Sequence, residues 1–159
     1  SNSVTIREIQ PNNLSDLLLI RNEPENYKWF TNNREVSYIE HNVWFKQRLK
    51  MNHALTLIAE LNDKAVGIAF LNKTFNNRFF VSINIARHYH SIGIGSKLIN
   101  AIAENCESLQ ARYLFAKVHK ENNNSKKFFE KNGFYLVEKR KLENKFQKSI
   151  FDLYKRKLK

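Results

Sequence analysis

The chain has 159 residues, 42% of them hydrophobic and 26% charged, which suits a globular protein with a packed core and excludes a disordered or membrane-embedded one. Its 27 basic and 15 acidic residues give a formal charge of +12, favouring anionic ligands, although a composition crowded with Asn, Lys and Ile produces the same bias without a partner. No run of the ~18 apolar residues that cross a bilayer occurs and the first ten residues lack the apolar stretch of a signal peptide, so a cytoplasmic protein of one domain, residues 1–159, is expected.

VTIREI, residues 4–9, alternates as a strand does, and NNLSDLLLIRN offers Asn13 or Ser15 to cap a short helix. Ser37 and Glu40 then have the spacing of a capping box, predicting a helix over 38–50. ALTLIAE (54–60) and KAVGIAFL (64–71) are rich in strand formers and are separated by the hairpin signal Asn62-Asp63. RFFVSINIA (78–86) is a fourth strand, after the polar turn NKTFNN. A helix follows the stretch HSIGIGSKLI and runs to about Leu109, with Cys106 on its apolar stripe as a core residue. ARYLFAKVH (111–119) reads as a fifth strand, NNNSKKFFEKN (122–132) as a short helix, and GFYLVEKRKL with KSIFDLYKR as a closing antiparallel hairpin. The order β-α-α-β-β-β-α-β-α-β-β is that of an α+β fold with a mixed, mostly antiparallel sheet of six to seven strands flanked by helices. The helix between the fourth and fifth strands is a crossover that sets them parallel.

Gly93 and Gly95 stand where a strand feeds a helix. A helix start exposes unpaired N–H groups and a partial positive charge, and glycines let an anion approach that backbone, so a phosphate cradle is the leading reading. A Walker loop is excluded, because the order after Gly95 is Ser96-Lys97 and no glycine lies five residues earlier. A dinucleotide fingerprint would need glycine where Leu98 stands. The pattern x-x-G-x-G-x-x-L-I after the fourth strand resembles motif A of the GNAT superfamily of N-acetyltransferases. Downstream, Asn122, Ser125, Phe129, Gly133 and Phe134 match the family's second signature, N-x-x-[SA]-x-x-x-[YF]-x-x-x-G-F.

The resemblance covers nearly the whole chain and implies strands 4 and 5 splayed apart, acetyl-coenzyme A as co-substrate, and no metal. It implies cofactor contacts at His90, Ser91, Ile92, Gly93, Ile94, Gly95 and Ser96 around the pyrophosphate, and at Asn122, Ser125 and Phe129 across from them. The backbones of Ile83 and Ile85 would hold the pantetheine arm, with the Ile85 segment meeting the thioester oxygen. Two departures stand out. His90 replaces the usual Arg or Gln, and Phe129 occupies a position where many members have the tyrosine that protonates the departing thiolate. A thiolate of pKa near ~8.5 is a tolerable leaving group, and water could protonate it. Glu60 and His119, at strand ends, are positional candidates for a general base.

On the acceptor side, Arg21-Asn22 followed by Glu40-His41 and Trp44-Phe45 looks like the R-N and E-H-x-x-W-F pattern of a GNAT subgroup that acetylates nucleotide-linked amino sugars, in pseudaminic-acid and related pathways. Under that reading Arg21, His41, Trp44 and Lys73 engage the nucleotide and sugar, although His41 and Trp44, three apart on one helical face, are equally a packing pair. The alternatives are acetylation of a protein N-terminus or ribosomal protein and, in another class, a non-catalytic basic module binding polyanions. A small-molecule amine is the expected partner, with no membrane and no nucleic acid.

Overall fold

In a computed structural model of the chain, which describes residues 3–52, 55–90, 92–138, 142–144, 147–148 and 150–159, the hairpin at 62–63 forms as its turn residues dictate. Asn62 and Asp63 both lie at positive φ, 51° and 62°, a turn whose twist matches the strands it joins. β2 (Thr56–Leu61) and β3 (Lys64–Lys73) therefore pair antiparallel, with Leu61 opposite Lys64. β1 (Thr5–Glu8) lies antiparallel on β2, and β4 (Phe79–Ile85) on β3. Ala54, in the second expected strand, is outside the described residues.

The chain continues with β5 (Tyr113–His119), β6 (Tyr135–Glu138), β7 (Leu142–Asn144), β8 (Gln147–Lys148) and β9 (Phe151–Lys157). A seven-stranded sheet runs β1-β2-β3-β4-β5-β9-β6, and β7 with β8 forms a separate ribbon. The closing hairpin is thus β6 with β9, the last strand slotting between β5 and β6 and antiparallel to both. Lys139, Arg140, Lys141 and Ser149 of that expected hairpin lie outside the described residues. β4 and β5 are the parallel pair. Their pairing is confined to Phe79–Leu114 and Phe80–Phe115, and beyond it the strands part.

Two apolar layers sandwich the sheet. α4 (Ile94–Ser108) buries Ile94, Leu98, Ile99, Ile102, Ala103 and Cys106 on one face, as its i, i+4 and i, i+3 spacing requires. Burial pushes the Cys106 thiol up to about 12. On the opposite face Leu17 and Ile20 of α1 (Leu14–Arg21) and Phe45 of α3 (Tyr38–Lys50) pack on Ile58 and Ile68. The Ser37–Glu40 capping box is formed, with Ser37 Oγ accepting from the Glu40 amide at 3.1 Å and Glu40 Oε1 from the Ser37 amide at 3.4 Å. α5 (Asn123–Lys131) is tied to β9 by Lys126 and Asp152, 3.2 Å apart.

Two local expectations need correction. Neither Asn13 nor Ser15 caps α1 with its side chain; the buried Asn13 carboxamide instead accepts from the Gln10 amide at 2.8 Å, closing the preceding turn. A helical turn over Pro24–Tyr27 also forms where the sequence shows no helical periodicity. This single turn, α2, starts on a proline and is held by tertiary bonds from Asn26 rather than by periodicity.

Candidate active site

The fork between β4 and β5 sets the backbone chemistry. Ala86 donates to the Val66 carbonyl at 2.8 Å, so by the alternation of an antiparallel ladder Val81, Ile83 and Ile85 turn their peptide groups away from β3. They face the side of β5, which has already parted from β4. The Ile83 and Ile85 amides are aimed into that opening. The Ile85 carbonyl is held in place twice, by Asn26 Nδ2 donating at 3.1 Å and by His90 Nε2 donating at 2.8 Å. His90 thus braces the end of β4.

At the mouth of the fork the two glycines do different work. Gly93 caps α4 at φ +86°, in the left-handed region, and nothing lies within 4 Å of where its Cβ would stand. A Cβ on Gly95 would stand 2.7 Å from Phe128 Cε1, so this glycine is where α4 and α5 touch. The first bond into the helix is Lys97 N–H to the Gly93 carbonyl, 3.2 Å, leaving the amides of Ile94, Gly95 and Ser96 ahead of it without helical partners. An open left-handed glycine followed by free helical amides fits a phosphate group. The Ile94 side chain itself is buried in the core and Ile92 is exposed; Ser91 lies outside the described residues.

A groove of about 880 Å³ runs from this loop into the fork and is lined by Ile83, Ile85, His90, Gly93, Gly95 and Ser96 on one side and Asn122, Ser125 and Phe129 on the other. Asn122 Oδ1 accepts the Ser125 amide at 3.2 Å, starting α5. Phe129 is packed edge-on between Phe128 and Phe134, at 5.2 and 5.0 Å, and brings no hydroxyl to the groove. His119, at the end of β5, also lines it. Its Nδ1 accepts the Glu121 amide at 3.1 Å, so in the neutral ring the proton sits on Nε2 and the free nitrogen is a donor. Glu60 lines neither cavity; Arg7 holds its carboxylate, with Nε donating at 2.9 Å.

A second cavity, about 700 Å³, opens on the other face of the sheet between α1, α3 and the strands, with Arg21, His41 and Trp44 in its walls. Arg21 donates to the Arg34 and Asn32 carbonyls, both at 3.0 Å, and lies 4.8 Å over the Phe30 ring. Glu40 is the one carboxylate among the described lining residues, and Arg34 takes it at 3.1 Å, holding it below the usual carboxylate range. His41 is buried, donates from Nε2 to the Leu14 carbonyl at 3.3 Å and stacks on Trp44 at 5.7 Å. Desolvation pulls its pKa below the ordinary value, so it is a neutral wall rather than a charge. Lys73 is in neither lining; its ammonium lies 5.7 Å over Phe79.

The two cavities meet through the sheet, sharing Trp29, Phe30, Val81, Ser82, Asn84 and Lys117. Lys117, Trp29 and Asn26 join the site without being among the residues expected from the sequence. Lys117 was findable, because it alternates with the buried Ala116 and Val118 on the strand beside the expected fork. Trp29 and Asn26 belong to the single-turn helix region that no periodicity announces.

The fold superposes on an N-acetyltransferase from Staphylococcus aureus with a TM-score of 0.81, at 21% identity over 99% of each chain. A Salmonella typhimurium protein solved with its cofactor acetyl-CoA gives 0.80 at 18% identity over 99% of this chain and 95% of that one. A ribosomal-protein-alanine N-acetyltransferase from Brucella melitensis gives 0.79 at 21% over 97% and 99%. No protein of curated function matches the sequence. The acetyltransferase (GNAT) family profile, by contrast, matches residues 17–134, from α1 through the fork and the glycine loop to the end of α5, and the chain therefore belongs to the GNAT family of acetyltransferases.

Proposed function

We propose that the chain, acting as one catalytic domain over residues 1–159, acetylates the primary amine of a nucleotide-linked amino sugar. Acetyl-coenzyme A supplies an activated thioester carbonyl when bound. Toward it, the Ile83 and Ile85 amides offer strand-like hydrogen bonds, with Ile85 the candidate donor to an oxygen gaining charge. The amides of Gly95 and Ser96 at the start of α4 suit its pyrophosphate, and Asn122, Ser125 and Phe129 form the facing wall.

The observation that carries the acceptor reading is the charge balance of the second cavity. Arg21 and Lys117 line it, and its one described carboxylate, Glu40, is already neutralised by Arg34. Trp29, Trp44, Phe30 and Phe70 supply flat apolar walls. A ring-bearing anion fits such a cavity and a polycation does not. His119 presents a donor to the groove and Glu60 lines neither cavity, while a sugar amine is partly neutral near neutral pH and can lose its proton to water.

A substrate panel tests the reading. Consumption of acetyl-coenzyme A with UDP-linked amino sugars, and none with peptides beginning in Ser or Ala, is the expected result. The reverse pattern overturns it in favour of protein N-terminal or ribosomal-protein acetylation.

A further inference from the structure

Phe129 leaves the cofactor groove without a hydroxyl at the position where the family resemblance calls for an acid, and His119 Nδ1 is taken up by the Glu121 amide. The negative charge that develops on sulfur still has to be met. Of the six side chains shared by the two cavities, Lys117 is the ionisable one. Its neighbours Ala116 and Val118 point into the α4 core, so Lys117 projects from the opposite face, the side of the acceptor cavity. Lys117 stands two residues past the last β4–β5 pair, Phe80 with Phe115, where the strands have parted, and it lines the same opening as Val81, Ser82 and Asn84, with Ile83 in the adjoining groove. Its ammonium rests 5.4 Å over the Phe80 ring, and no carboxylate lies within ion-pair distance among the described residues.

We propose that Lys117 is a catalytic residue, its ammonium stabilising the thiolate of departing coenzyme A in place of a tyrosine acid. As the acceptor nitrogen bonds to the thioester carbon, the carbon–sulfur bond breaks and its electron pair goes to sulfur. The nitrogen gives its proton to water, and the thiolate, held beside the ammonium, takes one from water on release. This goes beyond the amino-sugar reading and is independent of it, since only coenzyme A need bind.

The test therefore uses no acceptor. Coenzyme A bound to the protein is titrated by the ultraviolet absorbance of its thiolate, with the desulfo-coenzyme A complex as blank to remove Cys106 and the tyrosines. A free thiol titrates near ~8.5, and a cation close to the sulfur lowers that by about one unit or more. The wild-type complex should titrate about one unit below Lys117→Met, and Lys117→Arg should stay with the wild type. Equal midpoints for wild type and Lys117→Met, or Lys117→Arg following Lys117→Met, overturn the proposal. Circular dichroism and the coenzyme A dissociation constant report folding of each variant, and Lys117→Gln decides if the methionine variant does not fold.

Discussion

A Cβ added to Gly95 would stand 2.7 Å from Cε1 of Phe128, whereas one added to Gly93 would meet nothing within 4 Å. The two glycines of one loop thus answer to different pressures, helix contact for Gly95 and backbone conformation with ligand space for Gly93. Gly95→Ala should cost about 1–3 kcal/mol through overpacking, measured by urea denaturation. Much of the loss should return in the Gly95→Ala, Phe128→Leu double variant, because the leucine vacates the crowded ring position. Additive losses in that cycle would mean the helix contact is not the reason for the glycine.

Gly93→Val should remain folded while coenzyme A binding weakens about tenfold or more, equivalent to ~1.4 kcal/mol. Valine at φ +86° is strained, and its branches would fill the space that the loop leaves open. Titration calorimetry with coenzyme A gives the answer directly; an unchanged dissociation constant places the cradle elsewhere.

The glycine loop shows how far the sequence could be read. Strand alternation, the Asn62-Asp63 turn and the Ser37–Glu40 box are local signals, and each formed where its chemistry requires. The place of β9 between β5 and β6 is a long-range choice that no local pattern encodes. Pattern likewise named both glycines as one cradle, and only the Phe128 ring separates their tasks. Among acceptor residues, type and spacing pointed to Arg21, His41, Trp44 and Lys73, yet burial makes His41 neutral and strand geometry carries Lys73 out of the cavity.

His41 provides a pH test. Its folded pKa is depressed below the ordinary 6.5 by desolvation first, with Arg21 acting in the same direction against the Leu14 carbonyl. Below about 6.5 the unfolded chain therefore binds more protons than the folded one, so the stability present above that pH is lost as pH falls toward the folded pKa. Wild type should lose stability relative to His41→Gln between about pH 7.5 and about 5, read from paired urea curves. A pH-independent difference would show that His41 keeps an ordinary pKa.

Cys106 is fully buried in the α4 layer and its thiol is pushed up to about 12, chiefly by desolvation, with Glu107 adding to it. Thiolate is the reactive form, so the folded protein should resist Ellman's reagent at about pH 8 while the urea-unfolded chain reacts at the rate of a free thiol. Rapid labelling of folded protein, followed by mass spectrometry, would contradict the burial. Retained acetyltransferase activity in Cys106→Ala would separate this residue from the chemistry.

The last prediction concerns how the fork is held. Asn26 Nδ2 donates to the Ile20 carbonyl and to the Ile85 carbonyl, each at 3.1 Å, linking the helical segment that carries the acceptor wall to the end of β4. Asn26→Ala removes both bonds in a buried site and should cost about 1–3 kcal/mol, with weaker coenzyme A binding because the Ile85 peptide loses one of its two anchors. Asn26→Asp is the sharper test. A carboxylate there faces two carbonyls and the Glu23 side chain, 3.5 Å from Nδ2, with no proton to give them. At neutral pH the aspartate variant should be less stable than the alanine variant. As pH falls and the carboxyl protonates it regains a donor, so the order should reverse or close. Asn26→Asp matching or exceeding Asn26→Ala at neutral pH would show that the amide's donated bonds do not hold the fork, leaving His90 as the brace at Ile85.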